Sequence, residues 1–164
     1  MVIYFVRHGE TEWNKRKILQ GHKDSSLTLK GRENAEKLGK ILRNKNIEII
    51  YTSDLGRCVQ TAEIINKYLK VKLIKTKKLR ERDFGFLNGR PNKEVEKTLN
   101  LSDPNEKAPK GESFNQLKNR IINFIKSLKK KKSEAVLLIT HGGALRAIFN
   151  RDTQSDRVYK ISQM

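Results

Sequence analysis

Apolar positions fall in short blocks of two kinds along this chain. Residues 1–6 (MVIYFV), 47–51, 71–74 and 135–139 are apolar, β-prone runs that predict strands, and the unbroken 1–6 run marks a buried one. Between them, apolar residues recur at helical spacing. Leu29, Ala35, Leu38, Ile41 and Leu42 predict one helix, with Thr28 as its N-cap. Val59, Ala62, Ile65 and Leu69 predict a second, capped by Ser53 or Asp54. Phe114, Leu117, Ile121, Ile125 and Leu128 predict a long amphipathic helix, and residues 144–149 begin another. Pro91 suits the first position of a small helix. Residues 99–111, with Pro104 and Pro109, read as loop. Strands alternating with helices call for an α/β fold with a mostly parallel central sheet, in one domain over 1–164. Ligands of such folds sit at the carboxyl edge of the strands.

Composition adds one unusual feature. Lys plus Arg number 36 against 18 acidic residues, a formal charge of +18. Nucleic acid, an anionic membrane and phosphorylated small molecules all fit such a charge. No stretch interleaves basic with aromatic residues, so nucleic acid is not the expected partner. The run Lys129 to Lys132 stands at an expected helix end, where the helix dipole favours cations. A single cysteine, Cys58, excludes an internal disulfide and fits a cytoplasmic setting. It reads as a packing residue. No apolar run is long enough for a membrane span, and residues 1–6 are too short for a signal-peptide core.

Candidate chemistry lies where two of these strands stop. The first ends in Arg7-His8-Gly9, the last in Thr140-His141-Gly142-Gly143. Of three histidines, two therefore follow a buried strand and precede glycine. Side by side, those strands would aim both imidazoles into one crevice, with each glycine letting backbone approach a ligand closely. The Gly142-Gly143 amides, opening a helix, suit an anion. A lone histidine closing a strand is ordinarily satisfied by backbone; the matched pair beside Arg7 points to an anion site. The third, His22, reads as a loop or rim residue. No metal is expected: there is no His-x-His or Glu-x-x-His spacing, Cys58 has no partner, and Arg7 would repel a cation.

Five ordered blocks sharpen the picture: Arg7-His8-Gly9-Glu10-Thr11 with Trp13-Asn14; Tyr51-Thr52-Ser53-Asp54-Leu55 with Arg57 and Gln60-Thr61-Ala62; Leu79-Arg80-Glu81 with Phe84-Gly85; Gly111-Glu112-Ser113; and Thr140-His141-Gly142-Gly143. Together they resemble the histidine phosphatase superfamily, in its phosphoglycerate mutase-like branch. Glu10-Thr11 and Gln20-Gly21-His22 look like its α-ribazole phosphatase-like and broad-specificity members. The resemblance implies a three-layer sandwich and a phosphohistidine on His8. Arg7, Arg57, His141 and Asn14 would hold the phosphoryl oxygens, with Gln20, Gly21 and Gly142 also at the substrate. The two arginines would keep the His8 imidazole neutral, and a backbone carbonyl would set its tautomer. Glu81 would be the general acid, although the flanking Arg80 and Arg82 leave a plain salt bridge open. Glu112 would serve the site or cap the long helix.

No cofactor is implied, and the partner would be a small phosphorylated metabolite. Only a short stretch separates Glu81 from Gly111-Glu112, which favours a phosphatase over a mutase. A mutase, or a non-catalytic protein binding a phosphate ligand or nucleic acid, are the alternatives. Phe84, Phe86 and Leu87 would line the substrate's organic part or pack in the core. Residues 150–164 are polar, so the family's closing strand is expected to be missing, leaving a sheet edge open to pairing in a homodimer.

Overall fold

The computed structural model describes residues 1–128, 133–150 and 157–161. Its elements run β1 (Val2–Arg7), α1 (Glu12–Lys15), α2 (Leu29–Leu42), β2 (Ile49–Ser53), α3 (Gly56–Leu69), β3 (Lys72–Thr76), α4 (Asn92–Thr98), α5 (Phe114–Leu128), β4 (Ala135–Thr140), α6 (Gly142–Phe149) and β5 (Val158–Ile161). The strands form one sheet in the order β3-β2-β4-β1-β5, parallel except for β5. The run Lys129 to Lys132 lies outside the described residues.

Alternation along β1 builds two cores from one strand. Tyr4 and Val6 join Leu38, Leu42 and Ile65 of α2 and α3 on one face of the sheet. Ile3 and Phe5 join Leu117, Ile121 and Ile125 of α5, with Leu145 of α6, on the other. Each such side chain contributes about 1.5–3 kcal/mol on burial. Every residue of β4 is buried, as its unbroken apolar run requires. The edge strand β3 instead exposes Lys72 and Lys75, charges that discourage further pairing.

Four local expectations change. The closing strand is present: β5 pairs antiparallel with β1, from Ile3 opposite Ile161 to Val6 opposite Val158. It is only four residues long, and Val158, Tyr159 and Ile161 supply its apolar contacts within a polar stretch. On α2, Leu29 and Ile41 are exposed; Ala35, Leu38 and Leu42 make the buried stripe. Neither Ser53 nor Asp54 caps α3, whose N-cap is Leu55 without a side-chain bond. Its first amides, Gly56 N and Arg57 N, donate to the carboxylate of Asp24, which arrives from the loop before α2. Glu112 does not cap α5. Ser113 and Gln116 exchange the capping bonds there, while Glu112 grips Arg120 at 2.7 Å. Thr28 caps α2 as expected, accepting from Gly31 N.

Candidate active site

The centre of the sheet explains why the two histidines meet. β1 and β4 are parallel neighbours in a register that sets Arg7 opposite Thr140. His8 and His141 are each the next residue, and His8 N still donates to Thr140 O at 2.9 Å. The rings lie 5.2 Å apart between centroids, tilted by 59°. Both are buried.

The tautomer of His8 follows from its partner. Nδ1 is 2.8 Å from Gly9 O, and a carbonyl only accepts, so Nδ1 carries the hydrogen and Nε2 keeps its lone pair. Gly9 is itself pinned, its N–H donating to Thr61 Oγ1. Burial, then the charges of Arg57 and Arg7, holds the His8 imidazolium well below its ordinary range. Burial and Arg57 do the same to His141.

Arg57 donates four side-chain hydrogen bonds. Nη1 donates to Lys23 O and Asp24 Oδ1, both at 2.7 Å; Nη2 donates to Gly21 O at 2.8 Å; Nε donates to His141 Nδ1 at 3.2 Å. Four of its five N–H groups are thus taken, leaving one on Nη2 for a ligand. His141 has its Nδ1 lone pair occupied by Arg57 and its Nε2 2.9 Å from Ser53 Oγ. It stands behind Arg57 and His8, not on the wall of the cavity they face. Cys58 packs against it, Sγ 3.3 Å from Nε2, and burial pushes its thiol pKa up, consistent with a packing role.

Glu81 enters from the loop after β3. Its Oε2 accepts from Gly143 N at 3.0 Å and its Oε1 from Arg82 N at 2.9 Å. Neither flanking guanidinium takes it. Arg80 forms a bidentate pair with Asp54, and Arg82 donates to the carbonyls of Glu112 and Glu106. Burial holds the Arg7 guanidinium below its ordinary pKa, with Glu81 acting the other way.

The glycines have reasons other than access for a ligand. A Cβ on Gly9 would come within 2.7 Å of Gly31 O, the backbone of α2. One on Gly142 would press on Arg7 Cζ at 3.1 Å, and one on Gly143 would reach Glu81 Oε1 at 2.2 Å. The two-glycine start of α6 therefore makes room for the arginine and the carboxylate. The Gly143 amide is used by Glu81, while Gly142 stands on the cavity wall.

A cavity of about 540 Å³ opens above these groups. Arg7, His8, Arg57, Glu81, Gly142 and Gly143 line it, together with Asn14, Gln20 and Gly21. Asn14 Oδ1 accepts from Thr11 N, which settles the amide's orientation and leaves Nδ2 as the outward donor. Phe84 lines the cavity, Leu87 packs in a small core with Val95 and Leu99, and Phe86 is exposed. Lys17, Asn92, Glu96 and Arg146 also line the cavity, and no sequence pattern singled them out. Asp24 was also missed; it sits in a polar loop with no local signal, and only the fold brings it to Arg57. His22 does not line the cavity; it is half-buried in the adjoining loop, with Nε2 3.0 Å from Glu81 O. Among the described residues, no three His, Cys, Asp or Glu side chains converge as a metal site, and no helix is long and apolar enough to cross a membrane.

Comparison with known proteins agrees with this geometry. A family model described as "Histidine phosphatase superfamily (branch 1)" matches residues 3–157. A probable phosphoglycerate mutase, GpmB, of Proteus mirabilis is 38% identical over 156 residues, covering 90% of this chain and 73% of its own. An uncharacterized phosphatase, PhoE, of Bacillus subtilis is 32% identical over 155 residues, covering 94% and 78%. Among solved structures, Bacillus stearothermophilus YhfR superposes with a TM-score of 0.82 at 34% identity, over 90% of this chain and 77% of its own. With the family's blocks gathered around one cavity at the carboxyl edge of the sheet, the chain belongs to branch 1 of the histidine phosphatase superfamily.

Proposed function

We propose that this protein is a metal-independent phosphatase that hydrolyses small phosphate monoesters through a phosphohistidine on His8. The observation that carries the reading is the state of the His8 ring. Its Nδ1 hydrogen is held by Gly9 O, and its Nε2 lone pair is kept free of a proton by burial and two guanidinium groups. A nucleophilic imidazole beside fixed positive charge is what attack on an anionic ester requires.

In the first step Nε2 attacks phosphorus in line with the ester oxygen; the N–P bond forms as the P–O bond breaks. Negative charge spreads over three equatorial oxygens. Arg7, the remaining Nη2–H of Arg57, Asn14 Nδ2 and Gly142 N–H supply donors there, with Gln20 and Gly21 beside them. Donors of this kind contribute about 3 kcal/mol each at the transition state. His141 acts by fixing Arg57 through Nε. Glu81, as the acid, passes a proton to the departing alkoxide. As a carboxylate it then takes a proton from water, whose oxygen attacks phosphorus; the N–P bond breaks, and inorganic phosphate and free His8 result.

A relative named as a probable phosphoglycerate mutase keeps mutase transfer as the second reading. Only 29 residues lie between Glu81 and Gly111, including the short α4, so little chain is available to shield a phosphoenzyme from water. The test is turnover of p-nitrophenyl phosphate by wild type and His8→Ala without added metal, beside isomerisation of 3-phosphoglycerate primed with its bisphosphate. Hydrolysis lost in His8→Ala is expected. Equal turnover by both proteins removes the nucleophile, and isomerisation faster than hydrolysis makes the protein a mutase.

A further inference from the structure

Most of the acid loop's anchors come from its own surroundings, but one crosses from the phosphate side of the cavity. Gly21 and His22 are adjacent. Gly21 O accepts from Arg57 Nη2 at 2.8 Å, while His22 Nε2 lies 3.0 Å from the carbonyl oxygen of Glu81. A carbonyl only accepts, so Nε2–H donates to it. The His22 Nδ1 is 3.3 Å from Asp83 Oδ2, two residues beyond Glu81. Its main-chain N–H reaches Asn88 Oδ1 at 3.4 Å, and Asn88 Nδ2 in turn holds Asp83 Oδ1 at 2.7 Å.

Gly21 has φ +51°, which favours glycine, and a Cβ there would fall 1.8 Å from Asn88 Oδ1, displacing the amide that receives His22 N–H. Both ring nitrogens of His22 point to the loop bearing Glu81 and neither to its own loop. A solvated rim residue has no reason to be aimed this way. From the other side, Arg120 Nη2 donates to the Glu81 carbonyl at 3.2 Å.

Resting on the acid role proposed for Glu81, we infer that His22 is a positioning residue, coupling the placement of that acid to the phosphate-binding Arg57 through the adjacent carbonyl of Gly21. Its imidazole fixes the height of the Glu81 backbone over the cavity, and thereby where the carboxyl meets the leaving oxygen. A reacting group misplaced by about 1 Å costs on the order of a hundredfold in rate. Arg120 retains part of the hold, so deletion of the His22 contact should cost about tenfold.

The consequence depends on the leaving group. p-Nitrophenolate departs without a proton; benzyl alkoxide does not. The experiment compares kcat/KM, which reports the steps through alcohol departure, for p-nitrophenyl and benzyl phosphate in wild type, His22→Leu, His22→Gln and Glu81→Gln. For His22→Leu, about a tenfold loss on benzyl phosphate and less than about twofold on p-nitrophenyl phosphate is expected. Glutamine keeps an N–H near the Nε2 position, and His22→Gln should return benzyl phosphate turnover to within about threefold of wild type. An equal loss on both esters in His22→Leu, with Glu81→Gln still separating them, overturns the inference and leaves the acid standing. Failure of Glu81→Gln to separate the esters overturns the acid assignment and the inference with it.

Discussion

Two neutral imidazoles buried at the heart of the sheet should make this protein sensitive to mild acid. His8 and His141 have folded-state pKa values pushed well below the ordinary histidine value, by burial first and then by Arg57. In the unfolded chain both titrate near about 6.5. Below that pH the unfolded state binds protons that the folded state refuses, so stability falls as pH falls. From about pH 7.5 to about pH 5.5 each ring should cost about 1.4 kcal/mol, and the pair about 3 kcal/mol, a large part of an ordinary domain's stability. Asp54, held below the usual carboxylate range by Arg80, loses its contribution only below this interval. The measurement is urea unfolding at both pH values for wild type and for the His8→Asn, His141→Gln double variant. The variant's absolute stability is not the readout; its pH dependence is. Wild type should lose about 3 kcal/mol over the interval and the double variant under about 1 kcal/mol. An unchanged loss in the double variant would show that other groups carry the dependence and that these rings are not held neutral.

Two further outcomes follow from the way the cavity is built. Gly143→Ala places a Cβ 2.2 Å from Glu81 Oε1, so the carboxylate must retreat by nearly an ångström. Benzyl phosphate turnover should drop about a hundredfold, while the melting temperature stays level because alanine favours the helix; unaltered turnover would refute the placement of Glu81. Asp24→Ala removes both the cap on Gly56 N and the Nη1 partner of Arg57. A loss of about 2–3 kcal/mol in unfolding free energy and a raised KM are expected, and a silent variant would mean Arg57 holds its place without that carboxylate.

The periodic pattern made the scaffold legible because burial in a sheet or beneath a helix imposes its own spacing on apolar side chains. β1, β4, α3 and α5 are long enough for that spacing to speak clearly, and the glycine-bounded histidines at the ends of β1 and β4 stand out for the same reason. β5 escaped notice since four residues hold too little periodicity to rise above a polar stretch. Thr28, a cap three residues from the amide it receives, is readable locally; Asp24, which caps a helix 32 residues away, is not.

The sequence by itself determined the alternation of strands and helices, the parallel sheet, and the chemical identity of the groups at its edge. Only the tertiary structure decided which atoms those groups use. It put Gly9 O on His8, turned His141 inward to hold Arg57, drew the guanidinium of Arg80 away to Asp54, and gave Glu81 an amide of Gly143. The reason is physical: side-chain type and spacing record what a residue can bond. Which partner it bonds is set by strand order and register, and those follow from packing the whole chain at once.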